Sequence, residues 1–361
     1  MPSLLSSALA QTARNQHLLL LQSSTAQTCL PILRAAVKQT IERARETTIL
    51  FCFLYRPSSL IGTMRVQPDR VQVVDKTASV PGYDDAHYES ERERKTALKR
   101  ELLGAIRSAP PGPLNSVLDS VDTLLSDIGS LSETTQLLSE ALALVRARGG
   151  TSRLILHVLA PSPLIPILTE TRFSSSLTHL IAHPCALLTH VAAAYLTPPP
   201  PLSPEEKFWG VFIPIAERHY ESEKLVFGPG SEGSGSPQEF VVEVLLRGGA
   251  DATGRRRGAE RVLEGWSAAV YGPCELHQLE SLKTLWSRKI VIEAQRAPDP
   301  TQNLSFNVNL TPEQQRSRAQ VPLPYAHAGK QIQPQTPGAI LYDPDSADDL
   351  DDDDPDEDLD I

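Results

Sequence analysis

The sequence predicts an α/β fold built on a mainly parallel central sheet. Three observations carry that prediction. Short, almost wholly apolar runs at residues 47–55 (TTILFCFLY) and 153–160 (RLILHVLA) have the length of strands buried on both faces. Longer stretches between such runs repeat their apolar residues near the 3.6 period of a helix. Strand, helix, strand at this spacing is the pattern of right-handed crossovers on a parallel sheet. Composition agrees: 361 residues, 40% hydrophobic and 22% charged, suit a globular protein with a sizeable core, in one large domain or two smaller ones.

In chain order, residues 17–21 form a short apolar strand, and the polar stretch 22–28 leads to a helix over 30–46, where Ile32, Ala35, Ala36, Val37 and Ile41 share a face. The strand at 47–55 follows, then a loop-like stretch at 56–70 and a weak strand at 71–75. A strongly charged helix spans 86–107 and stops before Pro110 and Pro111. Residues 115–125 read as a strand, 131–148 as an amphipathic helix ended by Gly149 and Gly150, and 153–160 as a buried strand. A helix is predicted over 163–182 and an apolar strand over 185–196.

Past residue 196 the pattern loosens, with flexible loops at 197–206, around the prolines 198–201, and at 228–238, which is Gly/Ser-rich. Residues 239–247 (EFVVEVLLR) form a strand that would pair with 225–227 or 289–294, an antiparallel addition at the sheet edge. The predicted organisation is an N-terminal segment at 1–15, the α/β domain at 16–295, a docking extension at 296–342 and a disordered acidic tail at 343–361. The extension is polar and proline-bearing with isolated large apolar residues, a composition that orders only by docking. Inside it, Thr311 as cap, Pro312 at the first helical position and Gln314 completing a capping box predict a short helix to about residue 320.

The formal net charge of −10 belongs to the tail. Twelve of the 44 acidic residues lie in 343–361, which has no Lys or Arg, so the rest of the chain carries 34 bases against 32 acids. Cys29, Cys52, Cys185 and Cys274 are far apart and form no CxxC or zinc spacing, which fits a reducing compartment, cytoplasm and nucleus. Residues 1–10 lack the basic and continuously apolar regions of a secretory signal. The apolar stretch 184–196 is too short to span a bilayer and carries His190, so no membrane partner is expected.

The turn after the first strand is where a nucleotide-binding P-loop would sit, but residues 22–29 (QSSTAQTC) have neither the glycines that wrap phosphate nor the lysine that reaches it. A Ser/Thr-rich helix cap is the better reading. Asp119 or Asp122 could stand as a Walker-B acid, yet Ser116 and Ser120 interrupt the preceding apolar run, which favours a solvated loop acid. His179 and His183 have i, i+4 spacing on the predicted helix, but Leu180 stands where a metalloprotease has Glu and Pro184 follows at once. Gly265-Trp266-Ser267 matches only the first half of a nucleophile elbow. No catalytic, cofactor-binding or metal-ligating set is predicted.

Two charged features remain. Arg255, Arg256 and Arg257, with Arg261 nearby, concentrate positive charge and read either as a solvated loop or as a phosphate-contacting segment. The acidic tail reads either as a solubilising end or as a segment that docks on, or competes for, a basic surface.

The segment 306–318, with its FNVNLT and QQRSR, then VPLPY at 321–325, GAILY at 338–342 and the closing DPDEDLDI, resembles the C-terminal extension of the fifth-subunit family of the Elongator complex in its fungal form. The match covers roughly the last sixty residues, and the body contributes no sharp motif. The resemblance implies a RecA-like three-layer domain with a degenerate P-loop. It further implies a non-catalytic subunit, without cofactor, in a heterohexameric ring with the fourth and sixth subunits that docks on the catalytic Elongator subcomplex. That ring binds tRNA and supports wobble-uridine modification; the resemblance assigns no tRNA contacts to particular residues, and the concentration of charge at Arg255, Arg256 and Arg257 makes them the expected tRNA-binding residues. The expected interface anchors are Phe306, Leu310, Leu323 and Tyr325. Alternatives are a RecA-like ATPase with an unconventional phosphate loop and an acidic-tailed scaffold with no RNA role.

Overall fold

Nine strands form one sheet in the computed structural model, which describes residues 3–10, 16–43, 45–64, 67–79, 91–229, 235–248 and 258–287, together with 313 and 316. They are β1 (Leu18–Ser24), β2 (Thr47–Cys52), β3 (Val71–Asp75), β4 (Leu114–Leu118), β5 (Arg153–Ala160), β6 (Leu177–His183), β7 (Glu239–Arg247), β8 (Ala259–Ser267) and β9 (Gly272–Cys274). Their order is β3-β2-β4-β5-β1-β6-β7-β8-β9. Pairing is parallel from β3 to β6 and antiparallel from β6 to β9. The first strand thus lies between two later ones in a mainly parallel sheet, and the expected antiparallel addition is present. Contacts divide the chain into a unit over Met1–Gln295 and another over Arg296–Ile361.

Helices cover both faces of the sheet, giving three layers. Leu19 and Leu21 of β1 pack with α1 (Leu4–Ala10), α2 (Leu30–Glu42) and α3 (Pro57–Ile61) through Leu5, Leu9, Ile32, Leu33, Val37 and Leu60. Leu18 and Leu20 turn the other way, as the two-residue period of a strand requires. They pack with α4 (Glu91–Ser108), α5 (Val121–Ile128), α6 (Leu131–Ala147) and α7 (Leu164–Thr169). A third cluster joins Val241 of β7 to α8 (Cys185–Ala194) and α9 (Glu205–Ala216), with α10 (His219–Phe227) contributing Leu225 at its edge. Among the described residues no helix is long and apolar enough to cross a membrane.

Several elements differ from the sequence prediction. The strand expected at 115–125 ends at Leu118, because Ser120 adopts an extended backbone and its hydroxyl accepts from the Thr123 amide, starting α5. The helix expected over 163–182 divides into α7 and the central strand β6, whose residues are nearly all buried and so carry no alternation to separate them from a buried helix. Residues 185–196, expected as a strand, form α8, where alanine favours the helix and Leu187, Leu188 and Val191 supply a buried face. The strand at 239–247 pairs with β6 and β8, not with 225–227, which lies in α10. Residues 289–294 and most of the helix predicted from Thr311 lie outside the described residues; Glu313 and Arg316 are helical and exposed.

Candidate functional site

The C-terminal ends of β1, β4 and β5 meet beside the turn from β1 into α2, the edge at which parallel α/β sheets hold their ligands. There β1 delivers Ser23 and Ser24, and residues 25–29 turn the chain into α2. In a P-loop the amides of this turn face a phosphate. Here the hydroxyls of the turn take several of them. Ser23 Oγ accepts from the Cys29 amide at 2.8 Å, Ser24 Oγ from the Gln27 amide at 3.1 Å and Thr28 Oγ1 from the Leu30 amide at 3.1 Å. Backbone bonds between Ser24 and Gln27, at 2.9 and 3.2 Å, close the turn on itself. The predicted Ser/Thr-rich cap is therefore a ring of local bonds, although Cys29, at the cap position, gives α2 no side-chain cap of its own.

A second layer covers this turn. The Gln27 side-chain amide donates to the Ser236 carbonyl at 3.1 Å, and the Thr25 hydroxyl donates to the Glu223 carboxylate. A Cβ on Gly235 would lie 2.0 Å from the Ala26 carbonyl oxygen, so only glycine brings the backbone of 235–236 this close.

Beneath the turn lie Ser23, His157 and Asp119, the residue types of a hydrolytic triad wired differently. A carbonyl only accepts, so His157 Nδ1 carries the proton and donates to the Asp119 backbone oxygen at 2.6 Å. His157 Nε2 is then the acceptor for the Ser23 hydroxyl at 2.7 Å. The Asp119 carboxylate points away from the imidazole and accepts from the amides of Phe53 (2.7 Å), Leu54 (3.0 Å) and Tyr55 (2.6 Å). Burial holds His157 below its ordinary value, consistent with the neutral tautomer. Burial also raises Asp119, against the three amides that pull it down. Asp119 is fully buried, so the expectation of a solvated loop acid does not hold for it. Chemically the set locks strand ends together, because neither the serine nor the acid reaches the surface.

The remaining sequence candidates disperse. Arg255, Arg256 and Arg257 lie outside the described residues, as do Phe306, Leu310, Leu323 and Tyr325. Arg261 belongs to β8 instead of a basic loop, and its Nε is 3.1 Å from the Glu243 carboxylate. His179 and His183 are strand residues of β6, bonded to Gln22 (3.0 Å) and Glu243 (2.9 Å), so the helical ligand pair does not form. Among the described residues no group of His, Cys, Asp and Glu is arranged to hold a metal ion. Trp266 is a buried β8 residue stacked on Phe240, which removes the elbow reading.

The body's relationships extend well beyond the tail that carries the resemblance. A mouse Elongator complex protein 5 is 32% identical over 146 residues, 37% of this chain and 48% of the relative. The zebrafish protein of that name is 42% identical over 69 residues, 18% and 23% of the two chains. The matched stretches span less than half the length of these relatives. A KaiC-like protein of the archaeon Pyrococcus horikoshii superposes with a TM-score of 0.37 at 11% identity, covering 72% of this chain and 89% of its own. The model of the family described as Elongator subunit Iki1 matches residues 4–343, which takes in the sheet, the closed turn after β1 and the extension alike, and the chain belongs to that family.

Proposed function

We propose that this chain is a non-catalytic, structural subunit of Elongator, one part of a heterohexameric RecA-like ring with the fourth and sixth subunits. The ring binds tRNA and supports wobble-uridine modification by the catalytic subcomplex, in the cytoplasm and nucleus. The observation that carries the reading is the turn between β1 and α2, whose hydroxyls occupy amides that a nucleotide phosphate would need. Family membership over residues 4–343 supports the assembly role. Phe306, Leu310, Leu323 and Tyr325 serve as anchors of the extension, since isolated apolar residues along an extended segment suit docking. Arg255, Arg256 and Arg257 contribute the sequence-independent attraction to tRNA phosphates.

Affinity purification of the full chain tests this reading. Stoichiometric recovery of the fourth and sixth subunits is expected. A chain that purifies without any Elongator subunit would instead favour an acidic-tailed scaffold.

A further inference from the structure

On the sheet face opposite α2, a cleft of about 520 Å³ opens between α7 and α9. Register explains its polar floor. Gln22 lies beside Ile181 and Ile181 beside Glu243, while His179 lies beside Leu245 and Leu245 beside Arg261. These residues share one face, so four strands bring Gln22, His179, His183, Glu243 and Arg261 into one hollow.

Within it Arg261 is held on two sides. Its Nε meets Glu243 Oε1 at 3.1 Å, and its guanidinium carbon lies 5.7 Å from the centre of the Trp209 ring. Glu243 is 3% exposed, and His183 Nε2 bonds its other oxygen at 2.9 Å. Burial pushes this carboxyl up, but the His183 bond and the charges of His183 and Arg261 outweigh it and keep Glu243 below its ordinary value. The two terminal nitrogens of Arg261 make no hydrogen bond among the described residues. Arg247, also in the cleft, is different: its guanidinium is spent on the carbonyls of Thr169 (2.6 Å), Glu170 (3.3 Å) and Ser174 (2.7 Å). The amide oxygen of Gln22 accepts from His179 Nε2, which leaves His179 Nδ1 as an acceptor. Ile165 and Ile213 supply apolar wall.

An arginine whose Nε and face are fixed while its terminal nitrogens are free is prepared for a two-point grip on an oxyanion. The volume exceeds what phosphate alone would fill and lies in the range of small-molecule sites. We propose that this cleft binds a small organic phosphate of mononucleotide size, with Arg261 gripping the phosphate and His179 accepting a hydrogen bond from the body of the ligand. Ser24, Thr25 and Thr28 of the turn after β1 do not line this cleft.

Titration of the full chain with inorganic phosphate, adenosine and AMP, followed by calorimetry and by the fluorescence of Trp209, tests the proposal. AMP is expected to bind saturably and more tightly than either fragment. Arg261→Lys, which keeps the charge but loses the fork, is expected to weaken AMP by about tenfold. Ala216→Phe, which fills the cleft from α9 and keeps Arg261 in the sequence, is expected to abolish AMP binding. Replacing Ser24, Thr25 and Thr28 by Ala should leave it unchanged. Absence of AMP binding, equal affinity for phosphate and AMP, or unaltered binding in Ala216→Phe each overturns the proposal; the last variant decides the matter if Arg261→Lys fails to fold.

Discussion

Asp119 stands where an acid at the end of a central strand could serve phosphate chemistry, and its carboxylate is spent instead on three backbone amides of residues 53–55. Truncation to Ala would leave those donors without an acceptor, two of them in part-buried surroundings. Asp119→Ala is therefore expected to cost about 3 kcal/mol in urea unfolding, and Asp119→Asn, which keeps one acceptor, about half that. His179 makes a second prediction at this scale. Burial, the largest influence, lowers its imidazole to about 4. A folded value below the unfolded one means that the unfolded state binds more protons between the two. Stability from this group is complete above the unfolded value near 6.5 and falls as pH drops toward about 4. The loss is expected to reach about 3 kcal/mol, and His179→Gln should flatten the pH dependence of unfolding over that interval. Neither role was legible in the sequence: the partners of Asp119 are 64 to 66 residues away, and His179 looked like a helical residue beside its i+4 histidine.

The elements that read most clearly were those whose period and length agree. β5 and β7 fall where their apolar runs predict, and α6 ends at the glycines that stop it. Residues 163–196 failed because a strand buried on both faces and an alanine-rich helix are both continuous apolar runs, and only their neighbours in the sheet separate them. The first helix was also invisible, since its stability comes from tertiary partners. Glu264 of β8 accepts from the Leu4 and Leu5 amides at 2.7 and 3.0 Å, while Arg153 and Arg43 donate to the Ala8 and Ala10 carbonyls at 2.6 and 2.5 Å. Both ends of α1 are thus met by the charge that its dipole favours. Glu264→Gln is expected to cost about 1 kcal/mol. Leu5→Ala, at a fully buried position, should cost about 2–5 kcal/mol by the same denaturant titration.

For the whole molecule, the α/β class and the antiparallel edge were legible because they follow from the succession of elements. The strand order was not, because it depends on which strands pair across long intervals of chain. The net charge of −10 is a property of the last nineteen residues, and the remainder carries 34 bases against 32 acids. Replacing Arg255, Arg256 and Arg257 together by Ala should weaken tRNA binding by the reconstituted ring and reduce the slope of affinity against salt by up to about 3. An unchanged slope would remove these residues from the RNA surface.

The proposed role as a structural subunit rests on the closed turn after β1. Its most direct test is ATP turnover by the purified chain and by the reconstituted ring, each with and without Ala at Ser24, Thr25 and Thr28. No turnover by the chain alone is expected, and a ring rate that the substitutions leave unaltered. Turnover that disappears with those three hydroxyls would contradict it.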